Sequence, residues 1–143
     1  MAAGYWRVMS QANVELYMRA IDAWNGRDFS AWLPLADPAI EFVPLNLEME
    51  GGGAYRGHEG MRRFWDDYLA VFPDMVVEVD ELRDLGEVTL ARARLRGHGT
   101  ESDASFEQPV WQVLAWRDGK CVWWRGFRTE AEALEAATLR PES

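Results

Sequence analysis

Apolar positions along the chain change their rhythm about halfway. From Ser10 to Asn25, Val14, Tyr17, Met18, Ile21 and Trp24 recur at every third or fourth position, which lines up one face of a helix, and Gly26 follows as a stop. Asp28 to Leu33 reads as a second, short helix capped by Asp28 and closed at Pro34, and Ala39 to Val43 as a short strand ending at Pro44. Asn46 to Tyr55, with Gly51, Gly52 and Gly53 inside it, shows neither period and reads as a mobile loop able to cover a pocket. After Gly57, Met61, Phe64, Trp65, Tyr68 and Phe72 restore the helical spacing until Pro73.

Beyond Pro73 the period falls to two. Met75 to Asp84, Glu87 to Gly97, Phe106 to Trp116 and Lys120 to Arg128 read as long strands. Asp84-Leu85-Gly86 and Arg117-Asp118-Gly119-Lys120 are tight-turn sequences, so consecutive strands pair antiparallel as a meander. Thr129 to Glu132 forms a capping box that opens a last helix to about Leu139. Helices first, strands later and no β-α-β alternation predict an α+β domain with helices on one face of an antiparallel sheet.

Composition narrows the classes. A chain of 143 residues is one domain's length, and 48% apolar residues with eight Trp and six Phe exclude intrinsic disorder. A net charge of -9 makes nucleic acid or an anionic membrane an unfavourable partner. No apolar run nears the roughly 20 residues needed to cross a bilayer. The lone Cys121 has no internal disulfide partner, and Met1 to Ser10 lacks the apolar core of a secretory signal, so a cytoplasmic protein is expected.

The wording of the chain resembles the SnoaL-like, polyketide cyclase-related group of the nuclear transport factor 2-like superfamily. The resemblance rests on Trp24-Asn25-Gly26-Arg27-Asp28, Ala36-Asp37-Pro38-Ala39-Ile40-Glu41-Phe42, Tyr55-Arg56-Gly57-His58-Glu59-Gly60, Phe72-Pro73-Asp74, Trp116 to Lys120 and Glu132 to Ala136. It covers about residues 11 to 139. It implies a cone in which a strongly bent antiparallel sheet wraps the helices around an apolar pocket, usually in a homodimer. It does not imply one reaction, because the superfamily holds isomerases, cyclases, hydrolases and non-catalytic binding proteins.

Aligned with ketosteroid isomerases, the tyrosine donor, the aspartate base and the protonated carboxyl fall on Ala20, Val43 and Gln112, which disfavours that mechanism. The Asp-Arg-Asp triad of limonene-epoxide hydrolases finds no Arg-x-Asp pairing at Arg92, Ala93 and Arg94. What remains is a short set of candidates. Gln112 shares parity with the core-facing Val110 and Leu114, so its amide could donate to a developing oxyanion or simply pair within the sheet. A bulge at the Arg117 to Lys120 hairpin sets Trp124 across from Gln112, whereas a plain two-residue turn sets Arg125 there beside Trp123.

Glu41 has the parity of Val43; against aromatic walls its pKa would rise and it could shuttle protons, while at a solvated strand start it would do nothing. Asp66 and Asp67 flank the stripe of Trp65, Tyr68 and Phe72, and Tyr68 either offers its phenol to a ligand or packs in the core. Trp24, Phe42 and Trp124 complete the expected pocket wall.

His58 and His98 stand far apart without metal-ligand spacing, so no metal and no cofactor is expected. Arg92, Arg94 and Arg96 share a face opposite Glu78 and Asp80, which predicts cross-strand ion pairs on the outer sheet face, where a homodimer would form. Ala91, Ala93, Leu95 and Gly97 then line the concave side. The leading expectation is a pocket protein that takes a small apolar molecule, with cofactor-independent isomerase, cyclase or hydrolase chemistry at Glu41 and Gln112. The alternative is a non-catalytic binding or dimeric scaffold protein.

Overall fold

In the computed structural model the described residues are 2–45, 53–99 and 105–139. Helix α1 (Ala2–Asn25) is followed by α2 (Phe29–Trp32), a 3-10 turn (Leu33–Leu35), strands β1 (Ala36–Val43) and β2 (Tyr55–Arg56), helix α3 (Gly57–Val71), strands β3 (Val76–Asp84), β4 (Val88–His98), β5 (Ser105–Arg117) and β6 (Lys120–Phe127), and helix α4 (Glu130–Leu139). The six strands form one curled sheet in the order β2-β1-β6-β5-β4-β3. This is the expected α+β cone. All neighbours pair antiparallel except β1 and β6, which run parallel and which hairpin signals could not reveal.

Local chemistry accounts for the helix ends. At the end of α1 the residue in the left-handed region is Arg27 (φ +57°), not Gly26. Arg27 N–H donates to Trp24 O at 3.0 Å and Asp28 N–H to Ala23 O at 2.8 Å, a Schellman pattern with arginine in the position that glycine favours. The Arg27 guanidinium also donates to Trp24 O and to Pro73 O, at 2.8 and 2.9 Å, which ties α1 to the end of α3. Asp28 caps α2 by accepting from Ala31 N–H at 3.1 Å. Pro34 does not close that segment; it sits inside the 3-10 turn, whose first residues need no N–H partner. Thr129 Oγ1 caps the helix as expected by accepting from Glu132 N–H at 3.1 Å, whereas the Glu132 carboxylate accepts from the Thr129 hydroxyl, at 3.1 Å, in place of the backbone donor expected for it.

The expected loop over 46–52 lies outside the described residues, and Tyr55, placed in that loop by the sequence reading, instead joins Arg56 in the edge strand β2. Strand β1 starts at Ala36, earlier than the Ala39 expected, because its pairing with β6 already begins at Ala36 opposite Cys121.

Two apolar layers flank the sheet. The concave layer joins Tyr17, Ile21, Trp24, Trp32, Phe42, Met61, Trp65, Ala91, Ala93, Leu114 and Trp124 between the helices and the inner face. On the convex side Val88, Leu90, Val113, Ala115 and Phe127 pack under α4 through Ala133. The remaining convex face carries the ion pairs expected of Arg94 and Arg96, while Arg92 lies over the Trp111 ring at 5.9 Å: Arg94 donates to Asp80 with Nε–Oδ2 at 3.0 Å and Nη2–Oδ1 at 2.9 Å, and Arg96 reaches Glu78 at 2.5 Å. That fork pushes Arg94 up and holds Asp80 below the usual carboxylate range.

Candidate functional site

The β5–β6 hairpin decides what the concave face presents. Asp118 and Gly119 both have positive φ (+52° and +77°), giving a two-residue turn in which Arg117 pairs with Lys120. The ladder then slips by one: Trp116 pairs with Cys121 but Ala115 with Trp123, leaving Val122 as the extra residue of a bulge. Neither alternative read from the sequence holds, because the bulge lies beyond the turn and sets Gly126 opposite Gln112. Trp124 pairs with Leu114 and still faces the concavity, whereas Val122 and Trp123 both turn to the convex layer.

An inner cavity of about 60 Å³ lies between this wall and the helices, lined by Trp24, Trp32, Phe42, Phe64, Tyr68, Val110, Gln112, Trp124 and Gly126 among others. It adjoins an outer cleft of about 510 Å³ bounded by Asp67, Val71, Phe72, Phe106 and Gln108. Pro44, Leu45, Tyr68, Met75 and Leu95 belong to both. The wall at Gly126 is tight: a Cβ there would lie 3.0 Å from Leu45 N. The absent side chain lets the end of β1 close over the cavity.

Aromatic rings build most of the inner wall. Trp32 stacks on Trp124 with centroids 6.0 Å apart, Phe42 lies 5.1 Å from Trp124 and 4.5 Å from Phe64, and Phe64 lies 4.4 Å from Tyr68. Trp65 stands behind them, edge-on to Trp24 at 4.8 Å, and does not reach the cavity. Phe72 belongs to the outer cleft alone.

Gln112 is the polar group of this wall that the structure fixes most firmly. It is buried, and its Oε1 accepts from the Tyr17 hydroxyl at 2.6 Å. Tyr17 is fully enclosed on α1, and burial pushes its phenol well above the usual range, so it stays protonated and can only act through its hydrogen bond. The sequence reading treated Tyr17 as part of the helical stripe and missed this role. A tyrosine on an apolar stripe must find a partner for its hydroxyl when buried, and that requirement was the available signal.

Glu41 is a correction. Strand alternation puts Phe42 on the cavity and Glu41 on the other side, where Oε1 accepts from Arg125 at 2.9 Å and Oε2 from Arg56 at 2.8 Å. The Arg125 hydrogen bond, aided by Arg56, holds its carboxyl below the usual range, opposite to the shift a buried base needs. Tyr55 donates to Asp67 Oδ2 at 3.0 Å beside the outer cleft. His58 is bonded to Ala36 O at 2.8 Å, and His98 Nδ1 to Asp74 Oδ2 at 2.7 Å, so both histidines are engaged in holding chain segments together. Cys121 is buried, which pushes its thiol up and leaves it unreactive. Among the described residues no group of three or more His, Cys, Asp or Glu could hold a metal ion.

A curled, open sheet wrapped around helices with an apolar cavity between them is the architecture of the nuclear transport factor 2-like proteins. The SnoaL-like domain model matches residues 17–124, and the chain belongs to that family. No curated protein matches the sequence. Among solved structures, the chain is similar to a proposed SnoaL-like polyketide cyclase from Jannaschia sp. CCS1 (22% identity, 94% of this chain and 96% of that one, TM-score 0.73). It is also similar to a ketosteroid isomerase-like fold protein from Catenulispora acidiphila, solved with trimethylamine (18%, 87% and 93%, TM-score 0.71). A proposed hydroxylase from Streptomyces galilaeus superposes as well (17%, 93% and 99%, TM-score 0.67). At these identities the likeness is one of fold.

Proposed function

We propose that the protein binds a small, largely apolar molecule in the inner cavity and outer cleft, with Gln112 as its polar anchor. The observation that carries this reading is a concave wall of aromatic rings interrupted by one buried amide. Size sharpens it. An apolar cavity that accepts benzene is on the order of 150 Å³, so a chamber of about 60 Å³ takes only the head of a ligand whose body lies in the cleft of about 510 Å³. Acetophenone, a ring with one carbonyl, is a fitting probe. Saturating it should raise the melting temperature, because a ligand at a hundred times its Kd adds about 2.7 kcal/mol to the native state. No shift with acetophenone or its hydrocarbon analogues would remove the reading.

A catalytic version is favoured by one observation, the Asp67 carboxylate on the cleft that continues the cavity. There Gln112 would stabilise an enolate oxygen while Asp67 takes the proton. Deuterium exchange into the acetophenone methyl group, lost in Asp67→Asn with binding retained, would support isomerase or cyclase chemistry; no exchange above solvent leaves a binding protein. The free convex face beside α4, with its Glu78, Asp80, Arg94 and Arg96 pairs, is the surface proposed for a homodimer.

A further inference from the structure

The cavity has a polarity of its own, set from behind the wall. Tyr17 does not line the cavity, yet its hydroxyl holds Gln112 Oε1 at 2.6 Å in a fully enclosed contact. An amide carries its acceptor and its donors on opposite arms, and a phenol that stays protonated and lies behind the wall holds the acceptor arm toward α1. The arm left to serve the cavity is Nε2. Trp124, on the same wall, buries its Nε1 with no hydrogen-bond partner, while Trp24 already spends its indole N–H on Met75 O at 3.1 Å. The hydrogen-bonding capacity these side chains turn to the cavity is therefore donor capacity, and the Gln112 carbonyl is turned toward Tyr17.

We infer that Tyr17 is a positioning residue that makes the cavity selective for a ligand presenting an acceptor oxygen, such as a ketone, aldehyde or ether, and against one that must donate. This rests on the proposed binding of a small apolar molecule at the same site. A group that needs an acceptor at Gln112 would lose its hydrogen bonds with water and find the carbonyl turned away, which costs more than a missing attraction. If Tyr17 were removed, the amide could turn over and offer Oε1, so the selectivity should relax even where packing is kept.

The test uses acetophenone and α-methylstyrene, which differ by C=O against C=CH2, with the wild type, Tyr17→Phe and Gln112→Leu. The carbonyl stretch of bound acetophenone should lie to lower frequency than in alkane, and that shift should vanish in Gln112→Leu. In Tyr17→Phe it should weaken and split as two amide orientations are populated. The ratio of the two affinities should fall about tenfold in Gln112→Leu, the size of one neutral hydrogen bond, and several-fold in Tyr17→Phe. Comparing ratios removes any general loss of stability. Both ligands binding with an unshifted carbonyl in the wild type, or Tyr17→Phe keeping the wild-type shift and ratio, would overturn the inference and leave the binding reading standing; neither ligand binding would overturn both.

Discussion

Glu41 and Gln112 show how one position of strand phase separates a structural carboxylate from a site residue. Glu41 lies between Arg125 and Arg56, and its lowered pKa means that the folded state prefers the ionised form. A depressed carboxyl stabilises above its unfolded pKa of about 4.5 and loses that contribution as pH falls through the folded value. Glu41→Gln should therefore destabilise the protein by about 1 kcal/mol at neutral pH, with a difference from wild type that closes below about pH 4.5, while acetophenone affinity is unchanged. Denaturant titrations at neutral and acid pH check the first part. A change in ligand affinity would return Glu41 to the site.

Among the elements, β6 carries the most consequence for its length. Its bulge at Val122 places Trp124 on the concave side and Gly126 opposite Gln112. Deleting Val122 would remove the extra residue and leave a plain ladder in which Ala115 still pairs with Trp123, Leu114 with Trp124 and Gln112 with Gly126, so the cavity wall keeps its side-chain phase. The expected outcome is a variant that keeps the cooperative transition, the near-ultraviolet signal from ordered tryptophans and acetophenone binding; loss of the ordered signal or of binding would show that the extra residue itself, and not the register beyond it, builds the wall.

The same element marks how far the sequence was legible. Helices α1 and α3 and the long strands follow from apolar spacing, and the Arg94 and Arg96 pairs from strand parity, because these are local or nearest-strand rules. The bulge was not readable, since Asp118-Gly119 fits a tight turn whether or not a residue is inserted further on. The contact of Tyr17 with Gln112 spans 95 positions and depends on how a helix seats in the sheet. On β1 the sequence reading sends both Glu41 and Phe42 to the pocket, and strand alternation admits one of them: Phe42 lines the cavity and Glu41 pairs with Arg125 on the other side.

For the whole molecule, the two faces of the sheet divide the tryptophans. Trp24, Trp32 and Trp124 line the inner cavity, Trp65 backs them, and Trp111 and Trp123 pack on the convex side with α4. The tryptophans from Trp24 onward thus serve two layers, and only some of them bound the space a ligand would enter. A net charge of -9 does not set the character of that space, because the charged side chains of the ion-pair network lie on the convex face.

The convex tryptophans supply an internal control for the central claim. In a titration of the labelled protein with acetophenone, followed by the indole N–H resonances, Trp24, Trp32 and Trp124 should shift together and saturably while Trp111 and Trp123 stay in place. Shifts confined to Trp111 and Trp123, or no saturable shift at any indole, would contradict a ligand site in the concavity.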